Sequence, residues 1–139
     1  SCGGHMASLL STLGEGKFPK TGGWDEYPST IRAAICASGA YDLVKLDWGA
    51  GWAPPGEPFP DAREYASPIR YVAPDNIPQL IFHSDDDPSI PIEQVLRMVA
   101  ALEEAGAPHK FLHYKDRGHM FITENLIEES LKFIAEWSD

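Results

Sequence analysis

The sequence has few cysteines, few basic residues and no long apolar run. Its 139 residues include 2 cysteines, Cys2 and Cys36, too few for a disulfide framework, and their small apolar surroundings are typical of buried free thiols. No apolar stretch approaches the roughly 20 residues that span a bilayer, so we expect no membrane segment. The 11 basic against 21 acidic residues give a net charge of -10, which disfavours nucleic-acid binding and favours a neutral or small polar substrate.

Helices and strands are predicted to alternate along a chain that has room for one domain. Apolar periodicity and helix-ending residues predict helices over 2–13, 91–105 and 123–137. Short apolar runs predict strands over 31–38, 78–83 and 110–114, the first of them buried on both faces. This alternation indicates right-handed crossovers, so the predicted fold class is α/β with a parallel sheet.

The apolar spacing also predicts which helix faces are buried. In the first helix the predicted buried side chains are Met6, Leu9, Leu10 and Leu13. In the helix over 91–105 they are Ile92, Val95, Leu96, Val99 and Leu102.

The stretch from about 43 to 66 combines aromatic residues with several prolines. Because proline removes backbone donors, we expect neither a regular helix nor a central strand here. The aromatic residues are too many for a bare linker, so we interpret the stretch as an ordered, cap-like insertion. Its aromatic side chains would either pack within the fold or line a pocket beside the substrate. The candidate pocket residues are Trp48, Trp52 and Phe59.

Three residue types that suit nucleophilic catalysis follow predicted turns and strands. Ser1 stands before Cys2-Gly3-Gly4 at a predicted helix start, where a tight turn exposes a hydroxyl beside backbone N–H groups. An aspartate among 85–87 follows the second strand, with Asp87 favoured over Asp85, and His119 follows the third. Reactive groups gather at the carboxyl ends of parallel strands, and the order Ser, Asp, His is that of the α/β-hydrolases.

Five motifs in chain order carry a family resemblance. They are residues 1–7 (SCGGHMA), 38–43 (SGAYDL), 66–69 (ASPI), 83–91 (HSDDDPSIP) and 118–121 (GHMF). They resemble S-A-G-G-H-L-A, S-G-x-Y-D-L, A-S-P-I, H-G-D-x-D-P-x-V-P and G-H-x-F of the α/β-hydrolases. Within that superfamily they are similar to hormone-sensitive-lipase-like and feruloyl-esterase-like (BD-FAE) esterases. The fourth motif departs from the pattern, because Ser84 replaces a glycine.

The resemblance implies a role for each matching residue. Ser1 would be the nucleophile, Asp87 the acid of a Ser-His-Asp triad and His119 the base, and the Cys2 N–H would be one oxyanion-hole donor. The H-G-G loop that gives the family its other donor has no counterpart here. The chain therefore resembles the C-terminal half of an α/β-hydrolase, and we expect the N-terminal half to accompany it, as a separate or a split chain, and to complete the sheet.

The implied activity is that of a serine carboxylesterase without a cofactor. Its small-molecule ester substrate would be a carbohydrate ester or a small aromatic acyl compound. Alternatives are an amide or peptide hydrolase of the same fold (arylformamidase-like or prolyl-oligopeptidase-like), an N-terminal-nucleophile hydrolase using the amine of Ser1, or a catalytically silent binding scaffold.

The sequence says less about metals, assembly and location. No cluster of cysteine, histidine and carboxylate at ligand spacing is present, so we expect no metal site. A homo-oligomer is compatible with the sequence. No signal peptide is visible; because targeting segments would precede Ser1, the compartment stays open, with the cytoplasm as the default expectation.

Overall fold

The computed structural model describes residues 1–14, 21–48 and 59–137. Within these ranges the sheet consists of β1 (Ala34–Ala37), β2 (Gln79–Ser84) and β3 (His109–Tyr114), in that spatial order. Both pairings are parallel, with Ala34 opposite Gln79 and Gln79 opposite His109. The predicted α/β class and parallel sheet are confirmed, and the carboxyl ends of the strands meet at one edge.

Helices cover both faces of this sheet. They are α1 (Cys2–Leu13), α2 (Phe59–Tyr65), α3 (Ile92–Ala105) and α4 (Glu124–Glu136). One face of the sheet packs against α3, in a buried cluster that includes Ala34, Cys36, Ile81, Val95, Met98 and Leu102, with Ala7 of α1 at its margin. The other face packs against α4, in a cluster that includes Leu80, Phe82, Leu126 and Phe133. Because strand side chains alternate, each helix layer contacts every second strand residue.

The buried face of α1 differs from the predicted apolar face. Met6 and Leu10 are about half exposed, and the buried side chains are small or polar: Gly4, His5, Ser8, Ser11 and Thr12. The reason is a close approach between helix and strand, since a Cβ on Gly4 would lie 2.5 Å from Ala37 O. At that separation Ser8 Oγ donates to Gln79 Oε1 (2.7 Å) and Ser11 Oγ to Ile77 O (2.7 Å).

Two further burial predictions need correction. β1 is shorter than predicted and only Ala34 and Cys36 are fully buried, whereas Ile35 and Ala37 on its other face are partly exposed. In α3 the predicted Leu96 is 45% exposed, and Gln94 is buried instead. Gln94 Oε1 accepts from the backbone N–H groups of residues 41 and 42 (3.0 and 2.8 Å), so a polar contact replaces an apolar one.

The stretch over 43–66 contains a regular helix, contrary to prediction. Pro60 lies in the first turn of α2, where a missing N–H breaks no intrahelical bond, so proline does not prevent the helix. Ser67 Oγ donates to Arg63 O (2.7 Å) and accepts from Leu43 N (2.8 Å), which joins the end of α2 to the short 3-10 turn Leu43–Lys45. Residues 49–58, including Trp52, lie outside the described residues, and the cap-like role of the stretch stays a prediction.

Candidate active site

Asp87 is a buried carboxylate in the loop that follows β2. Its side chain is 0% exposed, and its Oδ1 accepts from Ser89 N (2.8 Å) and Ile90 N (2.9 Å). A buried charge is costly unless hydrogen bonds replace its lost water. The backbone turn 87–90 supplies those bonds and fixes the direction of the carboxylate.

His119 lies in the loop that follows β3 and contacts this carboxylate. Its Nδ1 is 2.9 Å from Asp87 Oδ2 and 3.1 Å from Oδ1. An ionised carboxylate only accepts, so Nδ1 carries the proton and Nε2 keeps its lone pair. The imidazole is therefore held in the tautomer that can accept a proton at Nε2, and it is partly open, with a side chain 24% exposed.

The structure separates the three consecutive aspartates. Asp85 is exposed, and its Oδ1 accepts from His113 Nε2 (2.5 Å). Asp86 points at the backbone of the loop after β3, and only Asp87 contacts His119. Because the turn directs each side chain differently, Asp87 is the aspartate that lies against His119, and its catalytic role stays a prediction.

His83 contacts the turn that contains Asp87 and is fully buried. Its Nε2–H donates to Ile90 O (2.9 Å), and the same nitrogen is 3.7 Å from Asp87 Oδ2. Burial lowers the pKa of His83, outweighing the opposing effects of the Ile90 bond and the Asp87 charge. The ring is therefore neutral near pH 7, so the contact with Asp87 is not an ion pair, and His83 braces the turn that holds the carboxylate.

Three side chains outside the candidate triad hold the loop around His119. Ser38 Oγ accepts from Met120 N (3.0 Å), Ser84 Oγ from Arg117 N (2.9 Å) and Asp86 Oδ1 from Gly118 N (2.8 Å). Ser38 is buried with a φ of 46°, a backbone conformation that non-glycine residues adopt at some cost. Two of the three carried a signal in the sequence: Ser38 begins the SGAYDL motif, and Ser84 stands where the related pattern has glycine.

Ser1 and Cys2 lie at the start of α1. The Ser1 nitrogen donates to Ala37 O (2.7 Å), which places the first turn of α1 at the carboxyl end of β1. Ser1 is the N-cap residue and its side chain makes no capping bond, and both residues are exposed. The first N–H groups of a helix have no intrahelical partner, so the Cys2 N–H is of the type that can bind an oxyanion.

Ser1 and His119 line the same cavity, whose volume is about 650 Å³. The rest of its wall is largely apolar, with Ile35 and Phe82 of the sheet on one side and Leu131 of α4 on another. Phe121 and Ile122 also line it and are 80% and 79% exposed. A cavity of this size and polarity can accept an uncharged organic group next to Ser1.

The predicted aromatic pocket residues do not line this cavity within the described part of the chain. Trp48 is 44% exposed, and its Nε1 donates to Ser89 O (2.9 Å) in the turn that bonds Asp87. Trp52 and the side chain of Phe59 lie outside what the structure describes. The role of these aromatic residues in substrate binding stays a prediction.

The two cysteines differ in their exposure to solvent. Cys36 is buried as predicted, and burial raises the pKa of its thiol to about 12, whereas Cys2 is exposed, contrary to prediction.

Among residues 1–14, 21–48 and 59–137, no group of three or more histidine, cysteine or acidic side chains could hold a metal ion. No helix in those ranges has the length and apolarity needed to cross a bilayer.

Comparisons with known proteins give relatives of two kinds. A dipeptidyl-peptidase 5 of Aspergillus fumigatus is 32% identical over 89 residues, which are 58% of this chain and 12% of that protein. A truncated carbohydrate esterase from gut microbiota superposes with a TM-score of 0.84 at 19% identity, over 100% of this chain and 58% of its own. An acetyl ester-xyloside bifunctional hydrolase of Caldicellulosiruptor lactoaceticus superposes with a TM-score of 0.68 at 25% identity, over 99% and 50%.

The chain thus spans about half of these solved chains and a small part of the curated relative. The three parallel strands of the described residues, with helices on both faces, are the C-terminal part of an α/β-hydrolase fold, as the sequence motifs implied. The model of the prolyl oligopeptidase family matches residues 25–139, a range that includes Asp87 and His119 but not Ser1. That match covers most of the sequence, and on this basis the chain belongs to the prolyl oligopeptidase family.

Proposed function

We propose that this chain carries the Ser-His-Asp site of a serine hydrolase that cleaves carboxylic esters. The observation that carries the proposal is the buried Asp87 carboxylate, bonded to His119 Nδ1 at 2.9 Å, in a molecule where His119 and Ser1 line one cavity. Ser1 is the nucleophile, His119 the base and Asp87 the residue that orients His119. A hydrolase fold alone would not single out these residues; their chemistry does.

The proposed reaction needs no cofactor. Ser1 Oγ attacks the ester carbonyl while its proton passes to His119 Nε2, and Asp87 stabilises the imidazolium that forms. The oxyanion accepts a hydrogen bond from the Cys2 N–H. His119 then gives the proton to the leaving alcohol, water attacks the acyl-serine with His119 again as base, and Ser1 is regenerated.

A partner follows from the same proposal. We infer that the remainder of a hydrolase domain packs at the free edge of β1 and brings the second oxyanion donor. Support comes from the solved carbohydrate esterase, of which this chain covers 58%, and from β1, which pairs only with β2 within the described residues. The proposed substrate is a small-molecule ester, of a carbohydrate or of a small aromatic acid.

A second candidate is an amide or peptide hydrolase with the same site. Membership of the prolyl oligopeptidase family and the likeness to a dipeptidyl-peptidase favour it. Esters and amides share the tetrahedral intermediate and differ in the leaving group, so the two candidates differ in rate and not in the residues used.

Two measurements on the complete native protein test these proposals. A fluorophosphonate probe followed by peptide mapping should label Ser1 alone, and labelling should disappear in Ser1→Ala and fall sharply in His119→Ala. A p-nitrophenyl ester and the matched p-nitroanilide then separate esterase from amidase. Absence of a Ser1 adduct in the wild-type protein would refute the serine-hydrolase proposal, and faster turnover of the anilide would replace the first candidate by the second.

A further inference from the structure

The loop that carries His119 is tied to the loop that carries Asp87 by a second set of hydrogen bonds. Arg117 N donates to Ser84 Oγ (2.9 Å) and Gly118 N donates to Asp86 Oδ1 (2.8 Å). These backbone groups immediately precede His119. Asp87 restrains the imidazole ring, and this second set restrains the backbone from which the ring projects.

Ser84 and Asp86 act as one unit. Ser84 is fully buried, and its Oγ donates to Asp86 Oδ1 (2.6 Å) while accepting from Arg117 N. One hydroxyl therefore links both loops and orients the carboxylate that receives Gly118 N. Hydrogen bonds from Ser84, and next from the Gly118 N–H, lower the pKa of Asp86 and keep it ionised, and bonds to an ionised acceptor are the stronger kind.

Gly118, immediately before His119, adopts a backbone conformation that favours glycine. Its φ is 58°, in the left-handed region that glycine enters without strain. A flexible glycine next to His119 would let the loop move unless its N–H were held. Asp86 Oδ1 holds it, and the related sequence pattern, which has glycine at position 84, lacks the hydroxyl that orients this carboxylate.

We propose that Ser84 and Asp86 are positioning residues that hold His119 in line with Asp87 and Ser1. The inference rests on the proposed function, in which His119 is the base. A base displaced by about 1 Å can cost on the order of 10²-fold in rate, so loss of this link lowers turnover and leaves substrate binding largely intact.

The test compares Ser84→Gly, Ser84→Ala and Asp86→Ala with the control Ser11→Ala in the complete protein. Ser11→Ala also removes the hydrogen bond of a buried hydroxyl, from Ser11 Oγ to Ile77 O (2.7 Å), near the far end of α1. Each test variant should lose about 10- to 100-fold in kcat for the ester with KM within about twofold. Ser11→Ala should lower Tm without changing kcat, and the Ser84→Ala/Asp86→Ala double variant should lose no more than the worse single variant.

A second readout does not depend on activity. Amide hydrogen exchange at Gly118 should be faster in Ser84→Ala and Asp86→Ala than in Ser11→Ala, because only the first two loosen its bond to Asp86. Unchanged kcat in both Ser84→Ala and Asp86→Ala, or unchanged exchange at Gly118, would overturn the proposal. If the wild-type protein takes no label at Ser1, the proposed function fails, and exchange at Gly118 by itself decides whether the link holds the loop.

Discussion

Replacing Gly4 by alanine should destabilise the protein because α1 lies too close to β1 for a side chain. The added Cβ would lie 2.5 Å from Ala37 O and 3.1 Å from Ala37 C, where ordinary contacts begin at 3.4 Å. The first turn of α1 must therefore move by about 0.9 Å. The obstructing atoms belong to the strand backbone, so they cannot rotate away, and overpacking of this kind costs about 1–3 kcal/mol.

Gly3 provides a matched control in the same helical turn. A Cβ at Gly3 has nothing within 4 Å, so Gly3→Ala only gains helix propensity, at most about 1 kcal/mol. Both substitutions gain the same helix propensity, so the free energies of unfolding should differ by the overpacking cost of about 1–3 kcal/mol, with the lower urea midpoint in Gly4→Ala. Equal free energies of unfolding in the two variants would show that the close contact between α1 and β1 is wrong.

Three further predictions concern the site and its surroundings. In ester assays, Asp87→Asn should lower kcat by on the order of 10⁴-fold, because His119 loses the acceptor that sets its tautomer. The control Asp85→Asn, in the same loop, should change kcat by less than about twofold. A thiol reagent should modify Cys2 in the folded protein and Cys36 only after unfolding, because burial raises the pKa of Cys36 to about 12, and mass spectrometry would locate the label. The free energy of unfolding should fall as pH drops below about 6.5, because unfolded His83 takes up a proton that the folded state, with its lowered pKa, refuses.

The outcomes that would contradict these predictions are distinct. Equal losses in the Asp87 and Asp85 variants would mean that the loop as a whole matters, and not one carboxylate. Labelling of Cys36 at the rate of Cys2 would contradict its burial. The pH dependence for His83 follows from proton uptake by the unfolded chain. The contribution of His83 to the free energy of unfolding is complete above its unfolded pKa and is lost below it. A free energy of unfolding that is flat or rises as the pH falls from 7.5 to 5.5 would contradict a neutral buried ring.

Much of the fold could be predicted because the signals are local. α1 begins and ends where the sequence placed it, and β2 and β3 lie within one residue of their predicted starts and ends. Apolar runs and helix-ending residues encode these features within a few positions. The candidate site residues could also be named from the sequence: Asp87 and His119 follow strands whose carboxyl ends meet at one edge, and Ser1 begins a motif that resembles the family.

The remaining features depended on distances between segments far apart in the chain. Helical periodicity assigned Met6 and Leu10 to the buried face of α1, but close approach to β1 selected the small side chains of Gly4 and Ser8 instead. The hydrophobicity of a side chain predicts how favourable its burial is, but it does not predict how much space the neighbouring strand leaves for it.

The sequence by itself determined the α/β class, the strand direction and the order of Ser1, Asp87 and His119 along the chain. Only the tertiary structure decided which aspartate contacts His119 and which side chains hold its loop. The bonds from Arg117 N to Ser84 and from Gly118 N to Asp86 join positions 33 and 32 residues apart, and the contact of His119 with Asp87 joins positions 32 apart. Directional hydrogen bonds of this kind depend on the final positions of both loops, and no local pattern records them.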